Sequence, residues 1–149
     1  QAPALCDGLP ATVPGLVGTP GNDVIVGTPN ADMIRGLGGD DRSGGGGGND
    51  TIDGGAGTDT VTYAGAVTAA TNGLGGWTVN GGVADGTDTL SNVEVIDDGA
   101  AGHILLVGNG GYATIQAAIN AASAGDTIVV GPGTYNEALT IDKVRLIPR

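Results

Sequence analysis

Aspartate stands at positions 23, 32, 41, 50 and 59, and chance does not place one residue type at five successive intervals of nine. The surrounding residues share the period. Residues 18–62 divide into GTPGNDVIV (18–26), GTPNADMIR (27–35), GLGGDDRSG (36–44), GGGGNDTID (45–53) and GGAGTDTVT (54–62). Glycine opens all five and aspartate is sixth in all five, while position eight is Ile25, Ile34, Ser43, Ile52 and Val61. A unit this short cannot bury its own apolar face, so it must stack on its neighbours. The glycines allow positive φ and close backbone approach in a turn, and Asn30, replacing Gly at position four of the second unit, is the next best residue there.

Composition narrows the architecture further. Glycine occurs 31 times in 149 residues, phenylalanine is absent, and the aromatics are one Trp and three Tyr. A conventional core of large side chains is hard to build from this material, whereas narrow layers of Ile, Val, Leu and Ala suit a thin solenoid. The formal net charge of −11 sets aside nucleic acid and anionic membrane surfaces as partners. Fourteen of the sixteen acidic residues are Asp. A short carboxylate in a glycine-rich turn reaches a cation held by nearby carbonyls, as Ca²⁺ prefers; a solvated acidic surface is the alternative from composition alone. Cys6 is the only cysteine, so an intramolecular disulfide is excluded. No apolar run is long enough for a transmembrane helix. Gln1 at the first position reads as a processed or trimmed start, with no signal peptide left to recognise.

The nonapeptides resemble the RTX (haemolysin-type) family of secreted calcium-binding proteins. That resemblance implies a parallel β-roll in which six residues of each repeat form a turn and three a short strand. Two repeats complete one coil, and successive strands fall on alternate sheets. Asp23, Asp41 and Asp59 then line one edge, and Asp32 and Asp50 the other. The apolar residue at position eight points inward and stacks on its equivalent 18 residues later. Neighbouring coils lie ~4.8 Å apart, and two carboxylates at that distance repel by roughly 3 kcal/mol at an effective dielectric near 20. A Ca²⁺ between adjacent turns reverses the sign.

Five turns imply about three ions, between repeats one and three, two and four, and three and five. By the family pattern each ion takes one Asp oxygen and two main-chain carbonyls from each turn. The expected sets are Thr19, Gly21 and Asp23 with Gly36, Gly38 and Asp41; Thr28, Asn30 and Asp32 with Gly45, Gly47 and Asp50; and Leu37, Gly39 and Asp41 with Gly54, Ala56 and Asp59. Six oxygens suit Ca²⁺ and are loose for Mg²⁺. Ser43 departs from the pattern, beside the run Gly44–Gly48. It either puts a hydroxyl in the core or lets the register slip, which makes the third repeat the weakest although it serves two of the three ions.

The remainder of the chain is expected to continue in β structure. Residues 1–17 read as an extended leader that settles onto the first coil. TVTYAGAV, GGWTVNGGV and TDTLSNVEVI alternate between glycine turns, and TYAGA and GTDTLSNVEVI resemble the metal-free flank that follows RTX arrays. This makes residues 63–102 a metal-free β-solenoid flank, with Tyr63 and Trp77 covering coil edges. In YATIQAAINAASA (112–124), Ile115, Ala118, Ile119 and Ala122 mark an amphipathic helix ended by Gly125. TIVV (127–130), ALTI (138–141) and VRLI (144–147) read as strands. Residues 103–149 thereby resemble the capping helix and first coil of a pectate-lyase-like right-handed β-helix. The fold class expected is all-β, a parallel β-roll or β-helix solenoid with one short capping α-helix.

Functional expectations follow from these parts. GLGGDD (36–41) is no nucleotide loop, because its glycines belong to the nonapeptide. His103 is the only histidine, which argues against a multi-histidine zinc site; Asn49 opens a glycosylation sequon inside a turn; and Asp142, Lys143 and Arg145 form a surface charge cluster rather than a lyase-type active site. The expected protein is non-enzymatic, extracellular or on the cell surface, and calcium-dependent in folding. An uncapped end after the last strand would favour head-to-tail self-association into a filament or surface layer. The alternatives are an amino-terminal part of a secreted β-helix enzyme acting on acidic polysaccharide, and a calcium-dependent adhesion module.

Overall fold

The structure, a computed structural model, describes residues 5–6, 9–12, 15–71, 73, 75–99 and 102–141. The strands are β1 Leu5–Cys6, β2 Leu9–Pro10, β3 Val24–Val26, β4 Met33–Arg35, β5 Arg42–Gly44, β6 Thr51–Asp53, β7 Thr60–Thr62, β8 Thr68–Thr71, β9 Trp77–Asn80, β10 Thr87–Ser91, β11 Val95–Asp97, β12 Ile104–Val107 and β13 Thr127–Val130. Helix α1 is Gly82–Asp85 and helix α2 is Ile115–Ala121. The fold is all-β with little helix. α1, a single turn, is an addition to the one helix expected.

Positions seven to nine of each nonapeptide are a three-residue strand, and the strands sort by parity. β3, β5 and β7 are parallel neighbours in a six-stranded sheet of order β13-β12-β11-β7-β5-β3, while β4 and β6 are parallel neighbours in a five-stranded sheet of order β4-β6-β10-β9-β8. The register joins Ile25 to Ser43 to Val61 on one sheet and Ile34 to Ile52 on the other. All five of these side chains are buried. The glycine run beside Ser43 therefore does not shift the pairing.

After β7 the parallel pattern is interrupted. β8 and β9 form an antiparallel hairpin, and β10 pairs antiparallel with β9 but parallel with β6. Thr89 meets Thr51 and Leu90 meets Ile52, so a stretch of chain is inserted before the parallel register resumes. β11 then pairs parallel with β7, Ile96 facing Val61. Residues 63–102 are thus not a continuous winding of repeats, since they contain this hairpin. Trp77 and Tyr63 sit in the core rather than at a coil edge. Trp77 is buried against the layer that includes Val79, Leu90 and Leu106, and its Nε1 donates to the Gly108 carbonyl at 3.1 Å.

The described residues ahead of the first repeat meet the first strands. The Thr12 N–H donates to the Val24 carbonyl at 2.9 Å, and Arg35 exchanges backbone bonds with Leu16 and Gly18. At the other end, Thr114 caps α2, its hydroxyl accepting from the Ala117 N–H, the N-cap bond that threonine supplies. α2 ends at Ala121, with Ala122 already extended, short of the Gly125 expected to end it. The helix buries Ala118 beside Leu105 and Val107 in a second, smaller core. β13 lies parallel to β12. Residues 138–141 are not a strand: both backbone groups of Thr140 are taken by the Gln116 side-chain amide, at 2.7 and 2.9 Å, which replaces the ladder partner a strand needs. VRLI, Asp142, Lys143 and Arg145 lie outside the described residues.

Ile52 is fully buried, flanked by Ile34 and Leu90 in its sheet, whereas Met33 is 67 % exposed on the neighbouring strand. Ile52→Ala should lower stability by about 2–5 kcal/mol, as buried large-to-small changes do. It is read as a drop in the urea midpoint at saturating calcium, and Met33→Ala should leave that midpoint nearly unchanged.

Candidate metal centre

Each six-residue turn brings its aspartate back over its own opening glycine. In the first two repeats the backbone N–H and hydroxyl of the position-two threonine donate to the position-six carboxylate: Thr19 to Asp23 at 2.6 and 2.9 Å, and Thr28 to Asp32 at 2.6 and 3.0 Å. The other repeats have Leu37, Gly46 and Gly55 at position two and lose the hydroxyl.

Turns 18 residues apart are then tied through the same carboxylates. The Asp23 N–H donates to Asp41 Oδ1 at 2.9 Å, Asp41 N–H to Asp59 Oδ1 at 2.8 Å, and Asp32 N–H to Asp50 Oδ1 at 2.9 Å. Asp23, Asp41 and Asp59 form one column and Asp32 and Asp50 another. The second oxygen tells the rest. Oδ2 of Asp41, Asp50 and Asp59 is buried with no hydrogen-bond partner. A buried, unsatisfied charged acceptor is strongly unfavourable, so each calls for a partner from outside the described chain, and a cation or a proton would also neutralise its charge.

The opening glycines show where that partner would sit. A Cβ on Gly36 would collide with both Asp41 Oδ2 and the Gly54 carbonyl. On Gly18 it would meet the Gly36 carbonyl and Asp23 Oδ2, and on Gly27 the Gly45 carbonyl and Asp32 Oδ2. Carboxylate and carbonyl oxygens from successive turns therefore converge on one small space, a donor set of hard oxygens that fits Ca²⁺. The other expected ligands line the same turns. The Thr19 and Leu37 carbonyls each accept one N–H from the facing turn, of Gly38 and Ala56 respectively, leaving one lone pair. Gly39 stacks on Gly21, Gly47 lies against Pro29, and Asn30 lies under Gly48. The Thr28 carbonyl faces Gly46.

Electrostatics follow from this crowding. Burial pushes Asp41 above the ordinary carboxylate range, Asp50 up to about 6 and Asp59 up to about 7, with neighbouring carboxylates adding to each. Asp23 moves down because the Thr19 N–H stabilises its charge.

Features beyond the nine-residue period complete the columns. Asp88 accepts from the Asp50 N–H and Glu94 from the Asp59 N–H, both at 2.8 Å, across sequence separations of 38 and 35. Gly86-Thr87-Asp88-Thr89-Leu90 nearly repeats Gly57-Thr58-Asp59-Thr60-Val61, a signal displaced by the inserted hairpin. Position five builds a parallel outer ladder: Asn22, Asp40 and Asn49 side chains accept from the N–H of Asp40, Thr58 and Thr87 at 2.8–2.9 Å.

Two outcomes follow. Gly36→Ala should abolish or sharply weaken the calcium-induced circular dichroism change, whereas Gly15→Ala, with no atom near its Cβ, should leave it intact. Without calcium, the raised Asp50 and Asp59 make the folded chain hold protons that the unfolded chain releases near pH 4. Their contribution is present below that value and is lost as pH rises through about 6 to 7. In EDTA, β ellipticity should therefore grow on acidification from pH 8 to pH 5, and a flat profile would contradict this.

No curated protein matches the chain. The family model of the RTX calcium-binding nonapeptide repeat matches residues 17–52 and 45–65, the segment that builds these columns, so this part of the chain carries calcium-binding RTX repeats.

Proposed function

We propose that residues 18–62 are a calcium-dependent parallel β-roll within a secreted, non-enzymatic structural protein, with about three ions held between turns 18 residues apart. The observation that carries this reading is the set of buried, partnerless Oδ2 atoms on Asp41, Asp50 and Asp59, of which Asp41's faces the Gly54 carbonyl between two nonapeptide turns. With no other counter-charge, those carboxylates oppose folding, so folding and metal binding form one equilibrium. The proposed ligands are the aspartates and turn carbonyls of the three sets given by the family pattern. Millimolar calcium outside cells matches the affinity range of extracellular calcium modules, roughly 10⁻⁴–10⁻³ M, which supports an extracellular or cell-surface location. Among the described residues no helix is long and apolar enough to cross a membrane.

End-to-end self-association into a filament or surface layer belongs to the same reading. Val17 and Met33 are 53 % and 67 % exposed beside the first strands, and the outer side of β13 has no partner strand among the described residues, with Val130 also exposed. Two such unlike ends suit a head-to-tail contact, which propagates as an open chain.

Circular dichroism in EDTA and then in millimolar CaCl₂ tests the folding claim: a largely disordered spectrum should become β-rich. An unchanged β signal at neutral pH would overturn it. Sedimentation velocity in millimolar calcium should show species that grow with protein concentration; a single monomer boundary at high concentration would remove the assembly claim while leaving the folding claim standing.

A further inference from the structure

Past the last nonapeptide the chain lays one more, much shorter, turn on the Asp23–Asp41–Asp59 column. β10 ends at Ser91 and β11 begins at Val95, so only Asn92, Val93 and Glu94 lie where a nonapeptide has six turn residues. The backbone nevertheless keeps the repeat's bonds. The Gly54 N–H donates to the Ser91 carbonyl, as the Gly36 N–H does to Asp53, and the Val95 N–H donates to the Asp59 carbonyl, as the Thr60 N–H does to Asp41. Asn92 thus stands at position one and Glu94 at position six. Asn92 takes a φ of 51°, the left-handed conformation that asparagine tolerates.

The oxygens repeat as well. A Cβ on Gly54 would meet the Asn92 carbonyl and Asp59 Oδ2, just as one on Gly36 meets the Gly54 carbonyl and Asp41 Oδ2. Glu94 Oε2 accepts from the Asp59 N–H at 2.8 Å, the bond that Asp59 Oδ1 accepts from Asp41. Asp59 is 2 % exposed, and its Oδ2 has no partner although it points at this space. The charges acting on Asp59 come from Glu94, Asp41 and Asp40, all negative. Glutamate in place of aspartate matches the shortened turn, because one extra methylene restores the reach that the missing residues remove. On the opposite edge the likeness stops: the atoms nearest a Cβ on Gly45 all belong to Asp50, with no carbonyl from the following turn among them.

We propose that a further Ca²⁺ binds between the fifth nonapeptide turn and the Asn92–Glu94 turn, held by the carboxylates of Asp59 and Glu94 and the carbonyl of Asn92. This site rests on the calcium reading of the repeats. It extends that reading to a residue outside the nonapeptides and clamps the β10–β11 connection onto the array.

The test counts calcium bound to the full chain by equilibrium dialysis at saturating CaCl₂. Glu94→Gln preserves an oxygen acceptor for the Asp59 N–H and removes the charge. It should bind one Ca²⁺ fewer per chain than the wild type. Equal stoichiometry and affinity in the two proteins would overturn this site alone, whereas a wild-type chain that takes up no calcium would overturn the calcium reading and this site together. Should Glu94→Gln fail to fold, anomalous scattering from crystals of the calcium-loaded wild type decides. A calcium peak between Asp59 and Glu94 supports the site, and peaks confined to the spaces between nonapeptide turns overturn it.

Discussion

A carboxylate stacked on a carboxylate, with protein rather than water around both, is the constraint on which the repeat block is built. Backbone N–H groups satisfy one oxygen of Asp41, Asp50 and Asp59 from the turn before, but nothing in the described chain satisfies the other. No counter-charge among the described residues is paired with these oxygens. Among the described residues the only Lys or Arg side chains are Arg35 and Arg42, and Arg42 is engaged with Asp97 at 2.8 Å on a strand face rather than with the columns. No described Lys or Arg neutralises the columns, and the proposed counter-charge is an ion from solution. A divalent ion is the efficient choice because it serves two turns at once, and a proton is its competitor in the pH range where Asp50 and Asp59 titrate.

The crowding of oxygens at the turns dictates the glycines, and for two separate reasons. At position one the demand is steric: Gly36 and Gly54 face oxygens where a side chain would stand. At position four of the last three repeats the demand is conformational, with φ of +87° at Gly39, +94° at Gly48 and +114° at Gly57. Gly21 and Asn30, at position four of the first two, are not left-handed, so Asn30 is not there for the positive φ that its place in the repeat suggests. Leu37 is the exception, a non-glycine at φ +78° where Gly46 and Gly55 take +85° and +89°. Left-handed backbone costs a side-chain-bearing residue about 1–2 kcal/mol. Ser43 lies in the same repeat, 4 % exposed between Ile25 and Val61. The third repeat therefore combines an inward hydroxyl with a strained turn while contributing to two of the proposed ions.

Local rules made the columns legible, and non-local ones hid their ends. The nine-residue period places Asp23, Asp41 and Asp59 together because turn length and strand length are both fixed inside it. Asp88 escaped because the hairpin of β8 and β9 stretches the separation from 18 to 38, although GTDTL copies GTDTV. Glu94 left no such trace, since both its residue type and its spacing differ from the repeat. The helix at Ile115–Ala121 followed from apolar spacing alone. The missing strand at 138–141 could not, because a glutamine 24 positions away takes the backbone groups of Thr140. Trp77 was misplaced for a related reason: alternation says that one face of β9 is buried, but not that the insertion folds that face into the core.

That insertion also bears on cooperativity. Five short repeats offer only Ile25, Ile34, Ile52 and Val61 as large inward apolar groups, a thin layer for holding charged turns together. The hairpin and the strands after it add Trp77, Val79, Leu90, Val93 and Ile96 to the same buried cluster. Leu90 and Ile96 continue the two stacks directly, opposite Ile52 and Val61. Burial contributes about 25 cal/mol per Å² of apolar surface, so the flank supplies much of the apolar drive that the repeats lack, while the repeats contain the charges that oppose it. Neither part is self-sufficient in this arrangement. In the proposed function, calcium removes the repulsion at the turns, so that metal binding in the repeats favours closure of the apolar stacks that Leu90 and Ile96 continue.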